Sequence, residues 1–313
     1  MNFPFELRTD TELDCVGFGT NAVDFLIRVP EYPAYDSKVE LTEYVRAAGG
    51  EVATTMAGLS RLGLSTVYVG RFGADDAGTL GWSSLTDDGV DMRFAERIAE
   101  AKTQIAFIII DERTGERTVI WQRDARLAYS AADAPMETAA MARVLHFTPH
   151  DTAACLRMAK AARAEGTVVS IDIDNIFDGV EDVLSNVDIL ISSAEFPARF
   201  LGISDPRAAI IEMQSRFGCR VAGVTLGASG SLIRCGDRFV ETEGFCVPGG
   251  CQDTTGAGDA FRVGLLYGLL SGADVEGSAL MANAVAALKC RSLGARTALP
   301  TATELAEFLQ KNV

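Results

Sequence analysis

Short runs of apolar and β-branched residues alternate with stretches of helical periodicity along most of the chain. Cys15–Gly17, Ser65–Val69, Val144–Phe147, Val168–Ile171, Ile189–Ile191 and Val221–Thr225 read as buried strands. Between them, Val52–Leu62 sets Met56, Leu59 and Leu62 at helical spacing, and Thr152–Ala164 is rich in Ala, Leu and Met. Pro206–Phe217 follows Asp205, which reads as an N-cap with Pro in the first turn. A parallel sheet with crossover helices requires this alternation. The pattern therefore predicts a three-layer α/β/α sandwich with a mostly parallel central sheet.

Two stretches break the rhythm. Asp24–Pro30 followed by Val39–Val45, and Ile105–Ile110 with Arg117–Gln122 around the turn Glu112-Arg113-Thr114-Gly115, read as antiparallel strands with no helix between them. They predict a small β-lid, formed by about 24–48 and 103–124 and inserted in a single domain over 1–313. An isolated small sheet leaves an apolar face unburied, so a homodimer joined through the lid is expected.

Composition narrows the function. With 313 residues and a formal net charge of −15, the chain has material for a large core and is a poor candidate for binding nucleic acid, which recruits clustered Lys and Arg. No run approaches the ~18 apolar residues of a membrane helix, and the first residues lack a signal-peptide core, so no membrane partner and a cytoplasmic location are expected. Seven scattered cysteines without a C-x-x-C pair fit reduced thiols.

The chemistry concentrates in Asp253-Thr254-Thr255-Gly256-Ala257-Gly258-Asp259-Ala260-Phe261 and the helix that follows, with Phe261, Leu265 and Leu269 on one stripe. Three small residues let backbone N–H groups converge, and a helix start adds its positive dipole end, so Gly256, Ala257 and Gly258 form an anion hole. Asp259 beside it would repel phosphate but is well placed to take a proton from a hydroxyl that attacks one. Taken alone, the same residue also fits an ordinary acidic first helical turn.

This run resembles the C-terminal signature of the ribokinase-like (PfkB) carbohydrate kinases. Gly49-Gly50, Ala53, Arg61-Leu62-Gly63 and the Gly70…Gly73…Asp75-Asp76…Gly78 series resemble the N-terminal signature, and Val224–Gly230 is similar to the nucleotide-side strand and loop. The resemblance implies ATP-dependent phosphoryl transfer to a sugar-type hydroxyl, with Asp259 as base. It also implies an acceptor pocket with Asp24, Gly49 and Gly50, a nucleotide site along Thr225, Gly227, Ser229 and Gly230 with Asn283, and Mg²⁺ arriving with ATP. Asp253 and Thr255 resemble a monovalent-cation (K⁺) site. Two departures stand out: Thr54 replaces the usual Asn after the Gly-Gly pair, with Glu51 where Lys or a small residue is common, and the Asn of the Mg²⁺-organising Asn-x-x-Glu is missing before Glu195.

Other readings compete. Gly17-Phe18-Gly19-Thr20-Asn21-Ala22 fits a dinucleotide fingerprint, but the following residues have β character where that motif needs a helix. Asp172-Ile173-Asp174-Asn175 ends a predicted strand and reads as a solvated loop or a ligand edge. His146 reads as a core residue; His150-Asp151 faces the substrate or starts the next helix. Arg123, near Trp121 and Asp124 at the base of the lid, either grips an anionic group on the acceptor or forms a plain ion pair. A nucleoside kinase and a catalytically silent sugar or nucleotide sensor are the rival functions. The first would call for aromatic side chains to stack on a base.

Overall fold

The computed structural model describes residues 1–312. Eight strands form the central sheet: β1 (Leu13–Phe18), β4 (Thr66–Val69), β9 (Ala142–Phe147), β10 (Val168–Ile173), β11 (Ile189–Ser193), β12 (Val221–Thr225), β13 (Ser231–Cys235) and β14 (Arg238–Thr242). Their order is β14-β13-β12-β11-β10-β9-β1-β4, parallel throughout except for the β13–β14 hairpin at one edge. The six predicted strands are all present. The hairpin is an addition, closed by the two residues Gly236-Asp237, with Gly236 at φ 57° as a tight hairpin turn demands.

On one face lie α1 (Glu51–Arg61), α2 (Asp76–Asp87), α7 (Ala257–Leu270), α8 (Val275–Lys289) and α9 (Ala302–Asn312). On the other lie α3 (Thr152–Ala164), α4 (Val180–Leu184), α5 (Glu195–Leu201) and α6 (Pro206–Phe217). The expected stripe on α7 understates its burial: residues all round that helix are shielded, because α1 and α8 pack on it from two sides. Glycines allow this approach. A Cβ on Gly264 would come within 2.5 Å of Ala282 Cα, and one on Gly58 within 2.5 Å of a Val263 methyl. This close packing aims the start of α7 at the sheet.

The lid is a separate sheet of β2 (Ala22–Val29), β3 (Glu43–Gly49), β7 (Ile105–Asp111) and β8 (Arg117–Gln122), in the order β3-β2-β7-β8. Each hairpin is antiparallel as expected, but the two join through a parallel β2–β7 pairing. The second strand begins at Glu43, so Val39 to Thr42 fall in the connecting loop. Period-2 alternation splits the lid into two faces. Ala22, Asp24, Ala106, Ile108, Val119 and Trp121 look into the molecule, while Phe25, Tyr44, Phe107 and Ile120 look outward. A short parallel pair, β5 (Arg71–Gly73) with β6 (Glu96–Ile98), lies outside both sheets.

Candidate active site

The strand order reverses between β1 and β9, with β1–β4 built one way and β9 to β12 the other. Ligands of open α/β sheets bind at the carboxyl ends of strands beside such a switch. A cleft of about 1170 Å³ lies there, between those strand ends, the inner face of the lid and the start of α7.

At its centre Gly256 caps α7 in the left-handed region, φ 76°, and a Cβ there would lie 2.7 Å from that of Ala295. Asp259 is the third residue of the helix. The Ala257 amide, expected in the anion hole, donates to the Thr254 carbonyl at 3.0 Å. Among the described residues, the amides left without a protein acceptor at this helix start are those of Gly256, Gly258 and Asp259.

Asp259 shares the cleft with Asp24, Glu51, Asp172 and Asp174. Burial and the neighbouring charges of Asp172 and Glu51 push its carboxyl well above the ordinary carboxylate range. Burial raises Asp172 too, against the pull of Arg262, which lies 2.7 Å from its Oδ1 and also donates to the Ile191 carbonyl at 3.0 Å. Burial and the charges of Asp174 and Asp172 raise Glu51 as well, although Thr20 donates to its Oε2 at 3.0 Å. Asp24 is pushed to about 6, chiefly by burial, against the pull of Arg296.

Gly49 lies directly beneath Asp24, where an added Cβ would meet the carboxylate Oδ2 at 2.0 Å, and Gly50 at φ 93° lines the cleft. Thr54 turns away. It accepts from Arg296 Nε at 3.4 Å, and the same guanidinium donates to the Gly49 carbonyl, so Thr54 braces the pocket floor from behind. Arg123 is likewise not a cleft residue: both its terminal nitrogens donate to Asp151 at 2.8 Å and one to the Leu127 carbonyl. This pair is half-buried, more enclosed than a surface bridge, and it occupies the fork that was expected to grip an anion.

Thr225, Gly227, Ser229 and Gly230 line the opposite end with Phe245, Ala286, Ala287 and Asn283. Asn283 donates to Ser231 Oγ at 3.1 Å. At Gly230, φ 99°, an added Cβ would lie 2.0 Å from the Thr242 carbonyl oxygen. Glu195 lines the middle of the cleft. Among the described residues no three His, Cys, Asp or Glu side chains form a cage for a metal ion. Mg²⁺ in phosphoryl transfer is commonly held by one or two carboxylates, waters and phosphate oxygens instead, a role that Glu195 fits.

The Asp253 and Thr255 site fits an added monovalent cation poorly. Asp253 accepts the Thr255 and Gly294 amides at 2.8 Å each, and the Lys289 ammonium already lies against it.

Several cleft residues were not singled out as site residues from the sequence. Asp172 and Asp174 stand in the cleft wall. Arg117, first residue of β8, lines the cleft and donates to Thr254 Oγ1 at 2.6 Å beside the anion hole. Trp121 and His150 meet edge-on with centroids 6.1 Å apart, and His150 lies 4.8 Å from Phe177. Burial and Arg123 hold His150 neutral, down to about 4. His146 is a core residue, down to about 3 through burial, with Nδ1 3.2 Å from Ser170 Oγ. The G-x-G of β1 serves packing: a Cβ on Gly17 would strike the Met56 side chain, and β2 follows where a dinucleotide site needs a helix.

Comparison with known proteins gives the family and the fold. The model for the "pfkB family carbohydrate kinase" matches residues 12–302. An uncharacterized sugar kinase of Archaeoglobus fulgidus is 32% identical over 257 residues, covering 79% of this chain and all of the relative. A nucleoside kinase of Methanothermobacter thermautotrophicus is 26% identical, covering 93% and 94%. The ribokinase of Arabidopsis thaliana, solved with ribose and ATP, shares the fold with a TM-score of 0.83 at 22% identity, covering 96% and 99%.

Proposed function

Because the chain belongs to the pfkB family of carbohydrate kinases, we propose that it moves the γ-phosphoryl group of ATP onto a hydroxyl of an uncharged sugar, with Asp259 as the base. The observation that carries this reading is the placement of Asp259. Its carboxyl stands at the start of α7 beside free amides, between an acidic pocket and a pocket lined by small residues and backbone.

In this reading the acceptor lies against Asp24, Glu51 and the inner lid, where carboxylates accept hydrogen bonds from its hydroxyls. Asp259 takes the proton of the attacking hydroxyl as the new O–P bond forms. The amides of Gly256, Gly258 and Asp259 and the Arg117 guanidinium face the charge that spreads over the phosphoryl oxygens. Mg²⁺ bound with ATP would neutralise phosphate charge, with Glu195 orienting its waters. Thr225, Gly227, Ser229, Gly230 and Asn283 flank the nucleotide.

Charge favours a neutral acceptor. Among the described residues at the acidic end, Arg262 is already bound to Asp172, and Arg296 lies behind the floor, bound to the Gly49 carbonyl and Thr54. A phosphate or carboxylate on the acceptor would face carboxylates at ~3–4 kcal/mol per close like-charged pair at an effective dielectric of about 20. An ADP-release assay over neutral pentoses and hexoses, sugar acids, sugar phosphates and nucleosides tests this. Neutral sugars are expected to lead in kcat/KM; a clear lead for a sugar phosphate or acid sinks the neutral-acceptor reading. No turnover with any acceptor would support the silent sensor.

A second reading rests on Trp121, His150 and Phe177. These rings line or flank the mouth of the acceptor end and would stack on a nucleobase, so a nucleoside leading the same assay would favour it.

We also infer pairing of two copies through the lid. Phe25, Tyr44 and Phe107 stack on its outer face, and Ile120 is exposed beside them. Light scattering should find a dimer at micromolar concentration; a monomer would refute this. All seven cysteines are free, which supports residence in a reducing compartment such as the cytoplasm. Among the described residues no helix is long and apolar enough to cross a membrane.

A further inference from the structure

Lys289 ends α8 and is 0% exposed. Lysine is almost never fully buried without a partner, because removing an ammonium from water costs several kcal/mol. The partner here is a single residue. Lys289 Nζ donates to the Asp253 main-chain carbonyl at 2.8 Å and lies 3.7 Å from the Asp253 carboxylate Oδ2.

Asp253 is the hub of the anion hole. One carboxylate oxygen accepts the Thr255 amide within the turn; the other accepts the Gly294 amide from the loop after α8. Gly256 then packs against Ala295 of that same loop. The ammonium thus sits where the turn, the end of α8 and the following loop converge, one residue before the Thr254 that Arg117 contacts.

We propose that Lys289 is a built-in monovalent cation: its ammonium holds the Asp253–Gly258 turn in its phosphate-binding shape, and the enzyme needs no K⁺. An inorganic cation on the same carboxylate would lie roughly 4 Å from the ammonium. At an effective dielectric of about 20 that repulsion is ~4 kcal/mol, or a loss of roughly a thousandfold in affinity. Lys289 touches no reacting atom and acts through Asp253, so it is a positioning residue.

The proposal rests on the phosphoryl-transfer reading for its kinetic arm only. Activity is measured in tetramethylammonium buffer against KCl at constant ionic strength, for the native chain, Lys289→Gln and Lys289→Met, with a thermal melt of each in both salts. The native chain should change by less than about twofold in kcat and should not gain stability from K⁺ specifically. Gln keeps a donor without the charge, and Met removes both. Each variant should lose roughly tenfold or more in kcat, the scale of one hydrogen bond to a charged group, and KCl should restore activity and raise the melting temperature. A native enzyme activated roughly tenfold by K⁺ overturns the proposal, as does a folded variant that is fully active without K⁺. So does a folded, impaired variant that K⁺ neither reactivates nor stabilises. Should neither variant fold, the native K⁺ response alone decides. No turnover by the native chain in either salt would count against the kinase reading, while the melts would still report on the cation site.

Discussion

The acidic end of the cleft is walled by four ionisable side chains from three parts of the chain: Asp24 on β2, Glu51 on α1, and Asp172 and Asp174 at the end of β10. The other end is walled by Thr225, Gly227, Ala228, Gly230, Ala286 and Ala287, which offer backbone and small apolar surface. In the proposed function the acidic end would select by charge and by directed hydrogen bonds. The other end would select by shape, with glycines at φ 59° and 99° in its loop. Substitutions should therefore act through charge and protonation at one end and through volume at the other.

The strongest test strikes where the ends meet. Asp259→Asn should lower kcat by roughly 10²–10⁴-fold, the usual range for a general base, while leaving ATP affinity nearly intact by isothermal titration. Turnover within tenfold of native would remove Asp259 from that role. At the nucleotide end, Ala286→Phe should raise the KM for ATP by roughly tenfold or more through lost space, with the acceptor KM within about twofold. Equal effects on both would break the division. At the acceptor end, Asp24→Asn should raise the acceptor KM by about ten- to a hundredfold, matching the loss of a hydrogen bond to a charged group; an unchanged KM would place the acceptor elsewhere.

Protonation gives the smaller effects. Asp259 must be ionised to act, and its carboxyl is raised by burial and then by Asp172 and Glu51, so activity should fall with acid at a pH above the ordinary carboxylate range. Glu51→Gln removes one of those charges and should move that limb to lower pH; an unmoved limb would show that Glu51 does not act on the base. Asp24 rises from 3.8 to about 6 on folding. A carboxyl raised in this way favours the folded state below its unfolded value and loses that favour as pH climbs through about 6. Asp24→Asn should therefore raise the melting temperature by a few degrees at pH 7, with the gain fading below about pH 4. A gain that persists at pH 3 would point to packing.

Much of the fold was readable because burial on one face leaves a period in the sequence. Val221–Thr225, Thr152–Ala164 and Pro206–Phe217 have the bounds their pattern predicts. The β13–β14 hairpin also has its signal, two alternating runs around Gly236-Asp237. The anion hole was legible because glycines and an acid at a helix start form a local motif. Arg262, Lys289 and Arg117 were not. The place of a long cation's head group depends on which distant carboxylate or carbonyl it meets, and no spacing records that Arg262 finds Asp172 or that Lys289 finds Asp253. Arg123 shows the reverse case: its distance from the acceptor is set by Asp151, twenty-eight residues further on.

Two bonds join the lid sheet to the segment that leads into α7. Arg28 on β2 donates to the Gln252 carbonyl at 3.0 Å, and Arg117 on β8 donates to Thr254 Oγ1 at 2.6 Å. Neither strand can lift away without releasing the segment that leads into α7. The inner sheet over the cavity and the proposed phosphate cradle are thus braced by the same two hydrogen bonds, so a change that loosens one strand reaches the turn before α7 directly.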